Sequence, residues 1–161
     1  RRYDFETSFI TLSARINEDM PFYVQNAVIR TIARQPVRLE DAKVLILGVA
    51  FKKDVDDTRH SPAFRVIELL HEKGISNISY CDPHVAKISI PNGSGNIELE
   101  AVDLNEKVLA EHDVVVILTD HSAFPYATIA EHAQAVVDTR NALKHIPHNK
   151  EKIVLLGGGD F

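Results

Sequence analysis

Six charged side chains crowd the stretch GVAFKKDVDDTRHSP, Gly48 to Pro62: Lys52, Lys53, Asp54, Asp56, Asp57 and Arg59. Such a segment can hold an anion through its side chains. Lys supplies a compact point charge, and Arg a planar fork able to take two phosphate oxygens. Phe51 beside Lys52 sets an aromatic next to a cation, which suits a ligand with a flat ring and a phosphate. Ser61-Pro62 reads as a helix start, Ser61 as N-cap and Pro62 at the first helical position. A helix N-terminus adds a favourable field for an anion. The spacing also admits a plainer reading, in which Lys52, Lys53 and Arg59 merely pair with Asp54, Asp56 and Asp57 in a solvated loop.

Two further segments carry polar chemistry, TDHSAFPY from Thr119 and DTRNAL from Asp138, the latter with Arg140. Cys81 precedes Asp82-Pro83, and no His or Asn stands in a local motif that would activate it, so a buried structural thiol is expected. His112, His121, His132, His145 and His148 sit on different predicted elements and form no pair at metal-ligand spacing, so no metal site is expected. Gly157-Gly158-Gly159 follows a strand like a phosphate turn, but no helical pattern follows it, and a frayed tail is expected.

These segments need elements to position them. From Glu6 to Arg34 apolar residues recur at helical spacing, interrupted at Asn17-Glu18-Asp19-Met20-Pro21, which predicts two helices or one sharply kinked helix. An alternation follows: strand Lys43–Leu47, helix Pro62–Lys73, strand Ile75–Cys81, helix Leu104–Glu111, strand Asp113–Leu118, helix Phe124–His132, and strands Ala135–Val137 and Ile153–Leu156. The strands are continuous apolar runs such as VLIL and VVVIL, the pattern of strands covered on both faces. The expected class is therefore α/β, a Rossmann-like parallel sheet with helices on both faces, preceded by a helical segment. Lys87–Val102, with Pro91-Asn92-Gly93-Ser94-Gly95 at its centre, reads as a surface excursion or hairpin. In an open parallel sheet ligands bind at the carboxyl ends of the strands, so Lys52, Arg59 and Arg140 are expected along one edge.

Composition narrows the partners. A chain of 161 residues, 45% hydrophobic, can bury a core as one domain. A net charge of −5 argues against a general nucleic-acid or membrane-surface binder, so an anionic ligand must be met by local cations. The single Cys excludes an internal disulfide and fits a reducing cytosol, hence a cytoplasmic location. No apolar run approaches the roughly 20 residues of a membrane span. The sequence lacks an initiator Met and opens in mid-pattern, as part of a longer chain would. A flavodoxin-like signalling or binding module is the rival reading. It would need paired acids directly after the first strand, where Gly48-Val49-Ala50 stands instead.

GVAFKKDVDDTRHSPAFRVIELLHEKG, with YCDPHV, TDHSAFPY and VVDTRNAL, closely resembles the C-terminal, UDP-binding domain of the UDP-glucose/GDP-mannose dehydrogenase family, the NAD-dependent nucleotide-sugar 6-dehydrogenases. The preface RRYDFETSFITLSARINEDMPFYV resembles the end of that family's central helical region and favours its UDP-N-acetylhexosamine branch. The resemblance implies a division into residues 1–35, the end of a helical dimerisation region, and 36–161, the UDP-sugar-binding domain. It implies an enzyme that oxidises a sugar C6 alcohol to a carboxylate with NAD, for surface polysaccharide, and that forms a homodimer or higher assembly. Phe51, Lys52 and Arg140 match family positions that contact the substrate, and Arg59 one that reaches NAD, held mainly by an N-terminal domain. The family's catalytic Cys lies in a glycine-rich segment that Cys81 does not match, so no catalytic residue is expected in this sequence.

Overall fold

A computed structural model describes residues 8–157 apart from 94 and 148. The sequence-predicted helix start at Glu6, the remaining glycines of the tail and His148 lie outside them. Five strands form a parallel sheet: β1 (Lys43–Leu47), β2 (Asn77–Cys81), β5 (Val114–Ile117), β6 (Val136–Asp138) and β7 (Ile153–Leu155), in the order β2-β1-β5-β6-β7. An antiparallel hairpin, β3 (Lys87–Asn92) and β4 (Gly95–Glu100), fills the turn-rich stretch. The helices are α1 (Ser8–Ala33), α2 (Pro62–Glu72), α3 (Glu106–Glu111) and α4 (Tyr126–His132).

The apolar runs serve two cores by simple alternation. Val44, Ile46, Val114 and Val116 face α1 and α2, while Leu45, Leu47, Val115 and Ile117 face α3 and α4. All eight are fully buried, as expected of strands covered on both sides. At about 25 cal/mol per Å² of apolar surface, full burial of each such side chain is worth roughly 1.5–3 kcal/mol. The hairpin joins the first core through Ile88 and Ile90. It then returns beside the sheet edge at a Tyr80–Ala101 bridge.

Of the two forms expected of the helical preface, two helices or one, the single helix is found. α1 is one element of 26 residues with Pro21 inside it. Pro21 has no N–H to give the Asn17 carbonyl, and Asn17 is exposed, so water can take that acceptor. What holds the helix is tertiary packing beyond the proline. Val24, Ala27, Val28 and Ile32 are buried in the core, and Gln25 Nε2 donates to the Leu69 carbonyl of α2 at 2.8 Å. Before the proline, Leu12 and Ile16 stay more than half exposed.

Element ends follow local chemistry. Ser61 caps α2 as expected, its Oγ accepting from Ala63 N at 3.3 Å. At the other end Gly74 N donates to the His71 carbonyl and Ile75 N to the Leu70 carbonyl. That double closure places Ile75 in the turn, so β2 starts at Asn77 rather than Ile75. Asn105 caps α3 through Val108 N, which moves its start from Leu104 to Glu106. Among the described residues no helix is long and apolar enough to cross a membrane.

Two predictions test this packing. Gly48 ends β1 at φ +82, where an added Cβ would meet Thr119 O at 2.4 Å and Thr119 Cβ at 2.6 Å. Gly74, at φ +87, has nothing within 4 Å of such a Cβ. Gly48→Ala should therefore cost about 2–4 kcal/mol, strain plus clash, and Gly74→Ala about 1 kcal/mol. Denaturant titration of both variants checks it, and equal losses would refute it. Cys81, buried at the end of β2, has its thiol pushed up by burial to about 11 from an ordinary 9.0. The unfolded thiol ionises first as pH rises, so its contribution is complete below pH 9 and lost on the way to about pH 11. The loss between pH 8 and 10.5 should be smaller in Cys81→Ala by roughly 1–2 kcal/mol. Identical melting curves across that range would disprove it.

Candidate functional site

The sheet order reverses direction at β1 and β5, whose chains leave for opposite faces, α2 after β1 and α4 after β5. A crevice outside the carboxyl ends of such strands is where ligands settle in open α/β sheets. A cleft of about 850 Å³ lies here on the α1/α2 side. Its walls include Pro21 and Val24 of α1, Phe51 and Lys52 after β1, Leu118 after β5 and Arg140 after β6. The N-terminus of α2, Ser61 to Ala63, opens into the same space.

The cations reach it by different routes. Lys52 Nζ lies 5.7 Å from the centroid of the Phe51 ring, which is itself 47% exposed. Arg140 follows Asp138, a buried carboxylate that accepts from Arg140 N at 3.0 Å, Ala142 N at 3.1 Å and Leu143 N at 2.9 Å. That side chain folds the backbone into a turn, with Asn141 at φ 55, and so sets where Arg140 starts. Arg140 Nε also meets Asp120 Oδ1 at 3.3 Å. A smaller cavity of about 380 Å³ continues past Arg140 between Asp120 and Leu156.

Phe51, Lys52 and Arg140 thus share one cleft, whereas Arg59 does not line it. Arg59 donates twice to Asp57, through Nε at 2.9 Å and a terminal nitrogen at 2.8 Å. These bonds hold the Asp57 carboxyl down to about 2. For this pair the solvated-loop reading is what the structure contains. For Asp54 it is not: its carboxylate accepts Ser122 N and Ser122 Oγ, both at 2.7 Å, and these bonds lower its pKa. Lys52 and Lys53 form no ion pair within 4.0 Å among the described residues.

A buried network behind the loop escaped the sequence reading. Asp82, just past β2, accepts Val49 N at 2.8 Å, Ala50 N at 3.2 Å, His84 N at 2.9 Å and Val85 N at 3.2 Å. His121 Nε2 stands 3.1 Å from Asp82 Oδ2, and His121 Nδ1 accepts Asp54 N at 2.9 Å. Thr119 Oγ1 donates to the Ala50 carbonyl at 2.7 Å. A legible signal existed in the strand-terminal Asp of CDP and VVDT, since Asp just past an apolar run tends to close the next turn through its own backbone. The partners across 32 to 69 residues of sequence had no such signal.

Asp54, His84 and His121 each bring a ligand atom within 4.8 Å of the others, a juxtaposition that separate predicted elements concealed. The His121 lone pair needed by a cation is engaged by the Asp54 amide, so the arrangement is a hydrogen-bonded tie. Cys81 is buried and its thiol is raised, which keeps it protonated and unreactive near neutrality.

The chain is similar to known proteins over nearly all of its length. Residues 45–145 match the model of the UDP-glucose/GDP-mannose dehydrogenase family, UDP binding domain. A UDP-N-acetyl-D-mannosamine dehydrogenase of Methanococcus vannielii is 33% identical, aligned over 94% of this chain and 35% of its own length. The structure of the UDP-N-acetyl-mannosamine dehydrogenase of Staphylococcus aureus superposes with a TM-score of 0.66 at 27% identity, over 96% of this chain and 34% of that one. A UDP-D-ManNAc dehydrogenase structure from Pyrococcus horikoshii shares the fold, with a TM-score of 0.73 at 24% identity over 99% of this chain and 36% of that one. The chain spans about a third of the length of the curated relatives it matches. These matches do not favour the signalling-module reading. The chain belongs to the UDP-glucose/GDP-mannose dehydrogenase family, as its UDP binding domain.

Proposed function

We propose that the cleft holds the nucleotide part of a UDP-sugar and that the chain is the substrate-nucleotide domain of an NAD-dependent UDP-sugar 6-dehydrogenase. The observation that carries this is the convergence of Lys52, Arg140 and the α2 N-terminus on one space beside the exposed Phe51 ring. A diphosphate needs positive charge from more than one direction, and this chain supplies it by two side chains and a helix end. Phe51 offers a flat apolar face for the base. The matched relatives favour a UDP-N-acetylhexosamine, whose C6 alcohol becomes a carboxylate for surface polysaccharide.

In this reading residues 1–35 end a central helical region and 36–161 form the UDP-sugar-binding domain. The exposed Leu12, Ile16 and Tyr23 of α1 suit an assembly of two or more copies through that region. The location is cytoplasmic, consistent with one buried, unpaired Cys. NAD would be held mainly outside this chain. Thr119 fills the space over Gly48, so the turn after β1 is no cradle for a dinucleotide pyrophosphate. Arg59, whose side chain is 84% exposed, is the residue of this chain that would reach such a cofactor, as the family resemblance implies.

Calorimetric titration of UDP into the 161-residue chain tests the reading. Lys52→Ala and Arg140→Ala should each weaken binding about ten- to a hundredfold, the loss of a charge-assisted contact of roughly 1.5–3 kcal/mol. Lys53→Ala, outside the cleft, should stay within about twofold of wild type. Arg59→Ala should leave UDP binding unchanged and weaken NAD in the full-length enzyme. Equal losses at Lys52 and Lys53, or competition by inorganic phosphate as strong as by UDP, would replace the nucleotide site with a general anion trap.

A further inference from the structure

His121 is fully buried, yet it lines no part of the cleft. Its surroundings fix its chemistry. Asp82 is nearly buried, and both of its oxygens already accept backbone N–H groups, two on Oδ2 and two on Oδ1. A carboxylate so used has only lone pairs to offer, so His121 Nε2, 3.1 Å away, must carry the proton. The other nitrogen then keeps its lone pair and accepts Asp54 N at 2.9 Å. Edge contacts from His84 at 5.0 Å and Phe124 at 5.5 Å, centroid to centroid, hold the ring in this plane.

The bond matters because of what Asp54 must do. Asp54 sits at φ 57, a left-handed conformation uncommon for a residue other than glycine. It ends the turn that carries Phe51, Lys52 and Lys53. One side is closed by the Asp54 carboxylate on Ser122, the other by the Asp54 amide on His121. We propose that His121, seated on Asp82, is a positioning residue for nucleotide binding, presenting an unprotonated Nδ1 that locks the Phe51–Asp54 turn in its binding shape. The part that concerns affinity rests on the reading of Phe51 and Lys52 as nucleotide contacts. The lock itself does not.

Two polar substitutions separate the two bonds of the ring. His121→Asn places its side-chain oxygen where Nδ1 stands and keeps an acceptor for the Asp54 amide, while losing reach to Asp82. His121→Gln keeps a donor to Asp82 and loses that acceptor. Asp82 retains its four backbone donors in both. In the 161-residue chain, UDP affinity should stay within about threefold for His121→Asn and fall about tenfold or more for His121→Gln. A merely structural role would instead lower melting temperature in both and separate neither affinity. Two readouts need no ligand. Imidazole 15N shifts should report the proton on Nε2, and hydrogen exchange at the Asp54 amide should quicken in His121→Gln but not in His121→Asn. If wild type fails to bind UDP, the nucleotide reading falls while these two measurements still decide the lock. Equal exchange in the two variants, or a proton on Nδ1, overturns the proposal. So would a rise in melting temperature with stoichiometric Zn2+ that His84→Ala abolishes, because the lone pair would then be serving a cation.

Discussion

Asp82 receives N–H donors from three segments that are far apart in the chain. Val49 and Ala50 come from the loop after β1, His84 and Val85 from its own turn, and His121 from the loop after β5. Each such bond to a charged acceptor is stronger than a neutral one, and a buried carboxylate missing one of them would carry the cost of desolvation instead. The three loops are therefore bound to a common centre rather than merely adjacent. Every residue proposed to touch the nucleotide from the β1 side stands within a few residues of that centre. Asp138 plays the same part for Arg140, folding the next turn around one carboxylate.

This division of labour reconciles an acidic protein with an anionic ligand. The net charge is −5, and Glu18 lines the α1 wall of the cleft, yet the carboxylates of the loops around it are committed inward or sideways. Asp82 and Asp138 serve backbone amides, Asp54 serves Ser122, and Asp57 holds Arg59. Two cleft cations are met by carboxylates: Arg140 by Asp120 at one edge, and Arg65 of α2 by Glu68 and Glu72. Lys52, the rest of the Arg140 fork and the N-terminus of α2 face the space together with the paired Arg65 and, from α1, Glu18. At physiological ionic strength charges beyond about 8 Å are largely screened, so this local arrangement outweighs the global sign.

The sheet was legible because its signal is local and redundant. Runs such as VLIL and VVVI have a residue for each face, and a strand with two apolar faces has few homes other than a covered parallel sheet. The Ser61-Pro62 start of α2 was equally local. At Pro21 the choice between two helices and one was not legible, because Val24 to Ile32 anchor the following turns by contacts no window of sequence contains. At the site, side-chain types that invite an anion were visible, as was the Asp57–Arg59 neighbour pair. The choice between ligand cation and surface ion pair was not, because it depends on which way each residue leaves the loop. The His121 tie, spanning 67 residues to Asp54 and 39 to Asp82, has no sequence signature at all.

The single glycine after β1 accounts for a proposed phosphate site built from long side chains and a helix terminus rather than from the backbone of that turn. In a glycine-rich turn the absent Cβ leaves room for a pyrophosphate against the backbone. At Gly48 that room is taken by Thr119, whose carbonyl would lie 2.4 Å from a Cβ. The glycine permits two loops of the protein to touch, and Thr119 Oγ1 then bonds the Ala50 carbonyl across the contact. Filling the turn after β1 this way excludes a ligand from the Gly48 backbone, though the cleft beside it still reaches Leu118 and Thr139 at the ends of β5 and β6. An anion is left to bind farther out, where only long side chains and a helix terminus reach. Long side chains lose rotamer freedom on binding, up to about 2 kcal/mol each for Lys or Arg. A loop that is fixed before the ligand arrives limits that loss to the side chain alone. The buried carboxylates, the left-handed Asp54 and the Gly48–Thr119 contact all act to that end.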